Sequence, residues 1–352
     1  MTMRNSKSWY SISCFIGFVL LLSACNDADT EVEGGSNGES ETEGEETVIA
    51  GDAEQVFRLT HTTPESHMWH QAAVHFGDIL AERSDGRFGL EIYPAGQLGT
   101  EADMLQQIES GSIDFGFITA AEMSSREEAF SAWFAPYLFD TILEANEARE
   151  SNEASAILNT LDSSNMIGLD YLFAGQRMML SRDVKIEGPD DMSGLTLRVT
   201  PSPPMLQFYN SLGASTEGIP LPEVYSAAQT GVIDGMDMDL DATITNNFYE
   251  VVDYAAVTNH MVWPAVAVMN DALFDGLSDE DQQIVIDALD EAADFSAETR
   301  YEQEEEFKEQ LRGEGMDVYD IDQTPFESEI AEFDEEYSAI DSLIEDFITA
   351  FR

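Results

Sequence analysis

From residue 56 onward the chain alternates two hydrophobic periods. Residues 56–60, VFRLT, read as a strand. Residues 67–86, HMWHQAAVHFGDILAERSDG, place apolar side chains at helical spacing and stop at Gly86. FGLEIYP, 88–94, is a strand closed by Pro94. TEADMLQQIESG, 100–111, is a helix with Thr100 as its N-cap, acids in its first turn and Gly111 at its end. IDFGFIT, 113–119, is the next strand, and a helix near 142–161 leads to a strand near 167–173. The second half repeats the style. RMMLS (177–181) and LTLRVT (195–200) read as short strands, separated by the turn-forming EGPDDMSG. Helices are predicted at 201–213, with proline near the start, and at 220–231, ending at Gly231. VWPAVAVMN, 262–270, reads as a buried strand; a long, very acidic helix runs from 278 to about 311, and a last helix from about 324 to 351. Alternating strands and helices predict an α/β fold with a mainly parallel sheet. Two such halves and a long helix predict two domains with a cleft between them, where ligands tend to bind.

The first 54 residues do not fit this rhythm. Arg4 and Lys7 precede an apolar run centred on CFIGFVLLL, which ends in Leu22-Ser23-Ala24-Cys25. The run is too short to span a bilayer, and small residues before a cysteine suit a cleavage site. Residues 1–24 thus resemble a bacterial lipoprotein signal peptide, with Cys25 as the lipidated residue. Residues 25–54 are rich in Gly, Ser, Thr and acids and lack aromatic residues, which predicts an acidic flexible tether. Cleavage would leave Cys25 as the only cysteine, so no disulfide, thiol nucleophile or cysteine-bound metal is expected.

Charge narrows the partners. There are 70 Asp and Glu against 15 Lys and Arg, for a formal net charge of −55. Phosphate binding needs a basic surface, so nucleic acid is excluded as a partner. The plainest reading is a halophilic protein: in 1 M salt the Debye length is about 3 Å, and surface carboxylates hardly repel one another. Against this background Arg177, Arg182, Lys185 and Arg198 fall within 25 residues, and no further Lys or Arg appears until Arg300. Arg177 and Arg198 sit in apolar strand sequence. A buried guanidinium needs an anionic partner. Its planar fork fits a carboxylate in two-point geometry. Either a ligand carboxylate or an internal Asp or Glu satisfies that need, and spacing alone does not choose.

Asp237, Asp239 and Asp241 alternate, so on a strand they share a face. A calcium loop fails at its sixth and twelfth positions, Ala242 and Phe248. Asp237 and Asp239 as an acid–base pair on an α/β scaffold is an enzymatic alternative. His61, His67, His70 and His75 suggest a metal-binding transport lipoprotein as a second alternative. On a helix, however, the last three spread over roughly 140°, which favours histidines near a helix start, with no metal and no cofactor. Gly-x-Ser-x-Gly, Walker and His-Glu-x-x-His motifs are absent.

Four motifs occur in order: YPAGQLGTEADMLQQIESGSIDFGFIT, GLTLRV, GIPLPEVYSAAQTGVIDGMD and FYEVVDYAAVTNH. Together they resemble the DctP-type substrate-binding proteins of tripartite ATP-independent periplasmic (TRAP) transporters, over about residues 56–320. The resemblance implies a two-lobed, periplasmic-binding-protein-like fold (type II, TRAP solute receptor) with a long helix crossing both lobes. It implies lobe I from 55–174 plus 264–303 and lobe II from 175–263 plus 304–352. It implies an extracytoplasmic, non-enzymatic binder of a small organic acid, of C4-dicarboxylate or sugar-acid type, that serves a sodium-coupled permease of small and large membrane subunits. Arg198, in the LRV strand, and Arg177, in AGQR, are implied to hold the ligand carboxylate. His61, Thr119 and the segment Asp237, Met238 and Asp239 are implied to line the cleft. Many relatives read Gln-Glu-Asn-Pro where this chain reads Met236-Asp237-Met238-Asp239. That departure places Met238 at the position of a ligand-touching Asn. Asp237 or Asp239 would then accept hydrogen bonds from ligand hydroxyls.

Overall fold

One 16-residue strand, Met166–Ser181, runs through both halves of the molecule. The structure, a computed structural model, describes residues 47–352. The signal peptide, Cys25 and the tether as far as residue 46 lie outside the described residues. In chain order the strands are β1 (Thr47–Ile49), β2 (Gln55–Thr60), β3 (Phe88–Tyr93), β4 (Phe115–Thr119), β5 (Met166–Ser181), β6 (Thr196–Val199), β7 (Ser215–Gly218), β8 (Gly235–Asp239), β9 (Tyr254–Val257), β10 (Val262–Asn270) and β11 (Asp317–Asp320). They order as β1-β3-β2-β4-β10-β5-β8-β6-β7, with β9 on β5 and β11 on β9.

The first half of β5 pairs with β10 and its end, from Arg177, pairs with β8 and β9. The strand thus passes from a first sheet into a second. Gly175 sits at this passage with φ 148°, a conformation that a side chain would strain. The sequence reading split this segment into two strands; the structure joins them in one strand, with an irregularity in the pairing to β10 between Phe173 and Gln176. The expected mainly parallel sheet is mixed, because β10 returns antiparallel to both β4 and β5. Residues 47–49, expected in the tether, pair with Leu90–Ile92 of β3. Their β-branched run suits an edge strand, and Ile49 packs at Gly77 of the helix Met68–Arg83.

Local capping explains the helix boundaries that periodicity missed. The expected helix 142–161 is broken where the Ser151 hydroxyl accepts from the Ala154 N–H at 3.0 Å and starts a new helix, Asn152–Leu158. The last expected helix is likewise cut into Glu327–Ser338 and Ser342–Phe351, with the Asp341 carboxylate capping Leu343. The acidic helix Asp279–Gly313 is continuous over 35 residues and starts on Ser278, whose side chain accepts from Asp281. It buries Val285, Ala288, Leu289, Ala292 and Ala293. The final helix packs by Phe347 on Trp133, 4.7 Å between ring centroids, and by Phe351 on Phe139. Among the described residues, no helix is long and apolar enough to cross a membrane.

Candidate functional site

A cavity of about 370 Å³ lies between the two sheets. The loop after β2 supplies Thr62 and Thr63, and the start of the helix Met68–Arg83 supplies His67 and Trp69. The opposite wall comes from Arg198 and Thr200 at the end of β6, Met238 and Asp239 at the end of β8, and residues 220–223. Arg177 and Trp263 close it where β5 and β10 run between the sheets.

The two arginines are not equivalent. Arg177 is buried and already paired: it donates through Nε to Asp237, through Nη1 to Asp239 Oδ2 at 3.0 Å, and through Nη2 to the Asp237 carbonyl at 2.7 Å. Its guanidinium lies 4.0 Å over the Trp263 ring. Arg198, equally buried, donates through Nε to the Ile219 carbonyl at 2.8 Å and through Nη1 to the Asp237 carbonyl at 3.4 Å. Among the described residues it has no ion pair with a carboxylate. Burial, and then the neighbouring Arg177 charge, push its pKa down to about 9. The internal-pair alternative therefore describes Arg177, whereas it does not describe Arg198 among the described residues.

Thr119, Met238 and Asp239 line the cavity as expected positions, whereas Asp237 and His61 do not. Asp237 stands behind the wall, wholly buried, because Arg177, Tyr209 and His260 all converge on it. His61 is turned into the protein, where its Nε2 faces His70 Nδ1 at 3.1 Å and its Nδ1 faces the Thr63 hydroxyl at 3.1 Å. Burial, with His70 and His67 nearby, lowers its pKa well below the usual value, which keeps it neutral. His67 caps its helix by accepting from Trp69 N–H, and His75 packs on Phe295. Among the described residues, no three His, Cys, Asp or Glu are placed to hold a metal. Asp237 and Asp239 are both ion-paired with Arg177.

Sequence reasoning missed Glu101. It sits in the first turn of the helix Glu101–Glu109 and reads there as a helix-start acid. In the fold its carboxylate is turned inward and accepts from Thr119 N–H at 2.7 Å and from the Thr119 hydroxyl at 2.8 Å. Thr119 thus lines the cavity and holds Glu101 in place. Burial raises the Glu101 pKa to about 7, against the pull of those two bonds. Trp263 was also missed, since within VWPAVAVMN it is indistinguishable from core.

A carboxyl whose folded pKa is raised adds stability in full below its unfolded value, near 4.5, and loses it as pH rises through about 7. The loss should be on the order of 3 kcal/mol. Glu101→Gln should therefore gain on the wild type in thermal melts between pH 4.5 and 7. A constant difference across that range would show that Glu101 titrates normally.

Residues 59–340 match the sequence model of the DctP family, bacterial extracellular solute-binding protein family 7. The chain is 26% identical to the 2,3-diketo-L-gulonate-binding periplasmic protein of Escherichia coli, over 78% of this chain and 84% of that one. It is 30% identical to the sialic acid-binding periplasmic protein of Vibrio cholerae, over 73% and 80% respectively. Among solved structures it is similar to the sugar acid binding protein of Advenella mimigardefordensis in complex with galactonate. That match has a TM-score of 0.80 at 24% identity and covers 85% of this chain and 98% of the other.

Proposed function

The chain belongs to the bacterial extracellular solute-binding protein family 7, and from that premise we propose that its cavity binds a small organic acid through Arg198. The protein is the extracytoplasmic binding component of a TRAP-type transporter and works with the membrane subunits of a permease. One observation carries the site assignment: Arg198 is a buried guanidinium on the cavity wall that, among the described residues, forms no ion pair with a carboxylate. A ligand carboxylate supplies the missing charge through two-point, charge-assisted hydrogen bonds. Arg177 contributes by orientation, held by Asp237 and Asp239 against Trp263. The lobes are the two sheets with their helices. The packing of the final helix on Trp133 supports grouping that helix with the first sheet. Ligand contacts from both walls favour the closed arrangement. Cys25 anchors the mature protein to the membrane by its lipid, with residues up to 46 as the tether.

The cavity wall narrows the ligand class. Glu101, Asp103, Glu122, Glu223 and Asp239 line it alongside Arg177 and Arg198. A dicarboxylate would leave its second charge facing carboxylates, where like charges in a confined site are costly. A monocarboxylate bearing hydroxyls instead offers donors to those oxygens. The galactonate seen in the Advenella structure has that chemistry. A thermal-shift screen in high salt tests the reading. Galacturonate, glucuronate or galactonate should raise the melting temperature more than succinate or malate. Equal stabilisation by succinate would refute the hydroxylated class, and no shift with any acid would refute acid binding itself.

A further inference from the structure

Asp241 follows the aspartates of β8 and does not line the cavity, yet it is only 2% exposed. Its Oδ2 accepts from the Met68 N–H at 2.7 Å and lies 3.6 Å from His67 Nε2. Its Oδ1 lies 3.3 Å from Arg300 Nη1. One buried carboxylate thus touches three separate pieces. Its own helix, Leu240–Thr245, follows β8 in the second sheet. Met68 opens the helix Met68–Arg83, which packs beside β3 of the first sheet. Arg300 belongs to the long helix Asp279–Gly313.

The surroundings place this contact at the joint between the sheets. Asp241 and Arg300 share a small pocket, about 30 Å³, with Gly175, Gln176 and Asn259. Gly175 marks the outward passage of the chain. Asn259, on the return from β9 to β10, has φ 48°. Arg300 is buried, and its Nε and Nη1 make no hydrogen bond. Its hold on Asp241 is an ion pair rather than an aligned bond. The Met68 N–H is one of the donors that a helix start leaves unsatisfied. The positive end of that helix favours an anion there.

We propose that Asp241 is a closing lock. Its bond to the Met68 N–H fastens the first-sheet layer to the second-sheet layer and sets how often the empty protein is shut, without touching ligand. Arg300 holds the carboxylate in place through the ion pair at Oδ1. When the lobes part, Met68 N–H and Asp241 separate and each is hydrated, while both sheets stay intact. A ligand then binds with an apparent affinity scaled by the closed fraction. The proposal rests on the lobe closure described above but not on the identity of the ligand.

The test uses the full chain without ligand, in high salt, comparing the wild type with Asp241→Ala and Asp241→Asn. Loss of a charge-assisted bond should lower the closed-to-open ratio roughly 10- to 100-fold in Asp241→Ala. Small-angle scattering should report a larger radius of gyration. Met68 amide exchange should accelerate by a similar factor, while Val266, paired within β10 to Ile118, keeps its protection. Asp241→Asn keeps an acceptor oxygen and should fall between the two, which covers the case in which the alanine variant does not fold. Unchanged scattering and unchanged Met68 exchange in folded variants would overturn the lock and leave acid binding standing. Because no acid is present, a failed acid screen would not imitate that result.

Discussion

Arg198→Ala is expected to weaken binding of the acid identified by the thermal-shift screen by roughly 2–5 kcal/mol, the range for truncating one partner of a buried charge pair. That corresponds to about thirtyfold to several thousandfold. The reason is specific to this side chain. Its Nε is held by the Ile219 carbonyl, which fixes the plane of the fork, and among the described residues no carboxylate forms an ion pair with it. In the empty protein the charge is a liability, visible as a pKa pushed down to about 9 by burial and by Arg177. An anionic guest removes that liability, so binding and the relief of strain are one event. The surface, at a formal −55, offers an anion no attraction of its own, and salt screens its repulsion. Affinity must therefore be local. Arg198→Lys should also bind poorly, because an ammonium cannot reproduce two parallel bonds. Calorimetry giving wild-type affinity for the alanine variant would sink the assignment; equivalence of lysine alone would reduce the contact to a point charge.

The sequence carried the alternation of elements because strand and helix periods differ and because glycines and prolines punctuate them. It did not carry the breaks at Ser151 and Asp341. A single capping side chain decides each of them, and Ser and Asp, although favoured at helix starts, also occur on helix surfaces, so their presence alone does not mark a break. At the site, the clustering of scarce cations pointed to Arg177 and Arg198, but their difference lay in tertiary contacts. Residues 237 and 239 meet Arg177 only because β8 pairs with β5 in the register Arg177↔Asp239. Asp237, two residues back along the same face of β8, is buried beneath Arg177 instead of lining the cavity, and among the described residues Arg198 forms no ion pair. Glu101 was illegible for a related reason. An acid in the first turn of a helix is explained by the helix alone, and only the approach of Thr119 shows that this one faces inward.

Asp237→Asn is expected to cost roughly 3–5 kcal/mol of stability, the penalty for leaving a buried charge without its partner. The carboxylate is wholly buried and serves three groups. Arg177 donates to Oδ1, Tyr209 OH donates to Oδ2 at 2.7 Å, and His260 Nε2 lies 3.1 Å from Oδ2. Burial alone would raise its pKa. The Arg177 charge and the His260 bond outweigh burial and hold the carboxyl well below the usual range. The sign of the pH effect follows. A depressed folded pKa adds stability in full above the unfolded value, about 4, and that stability is lost as pH falls through the lower folded value. Asparagine keeps the shape but not the charge, and leaves Arg177 with Asp239 as its remaining carboxylate partner. Urea unfolding at pH 7 and pH 3 should show the variant much weaker at pH 7, with the gap narrowing in acid. A gap that stays constant from pH 7 to 3 would mean that Asp237 contributes packing rather than charge. The same loss should reach the ligand, because both arginines bond to the Asp237 main chain. A weaker acid affinity in a variant that is still folded would tie the buried network behind the wall to the guanidinium in front of it.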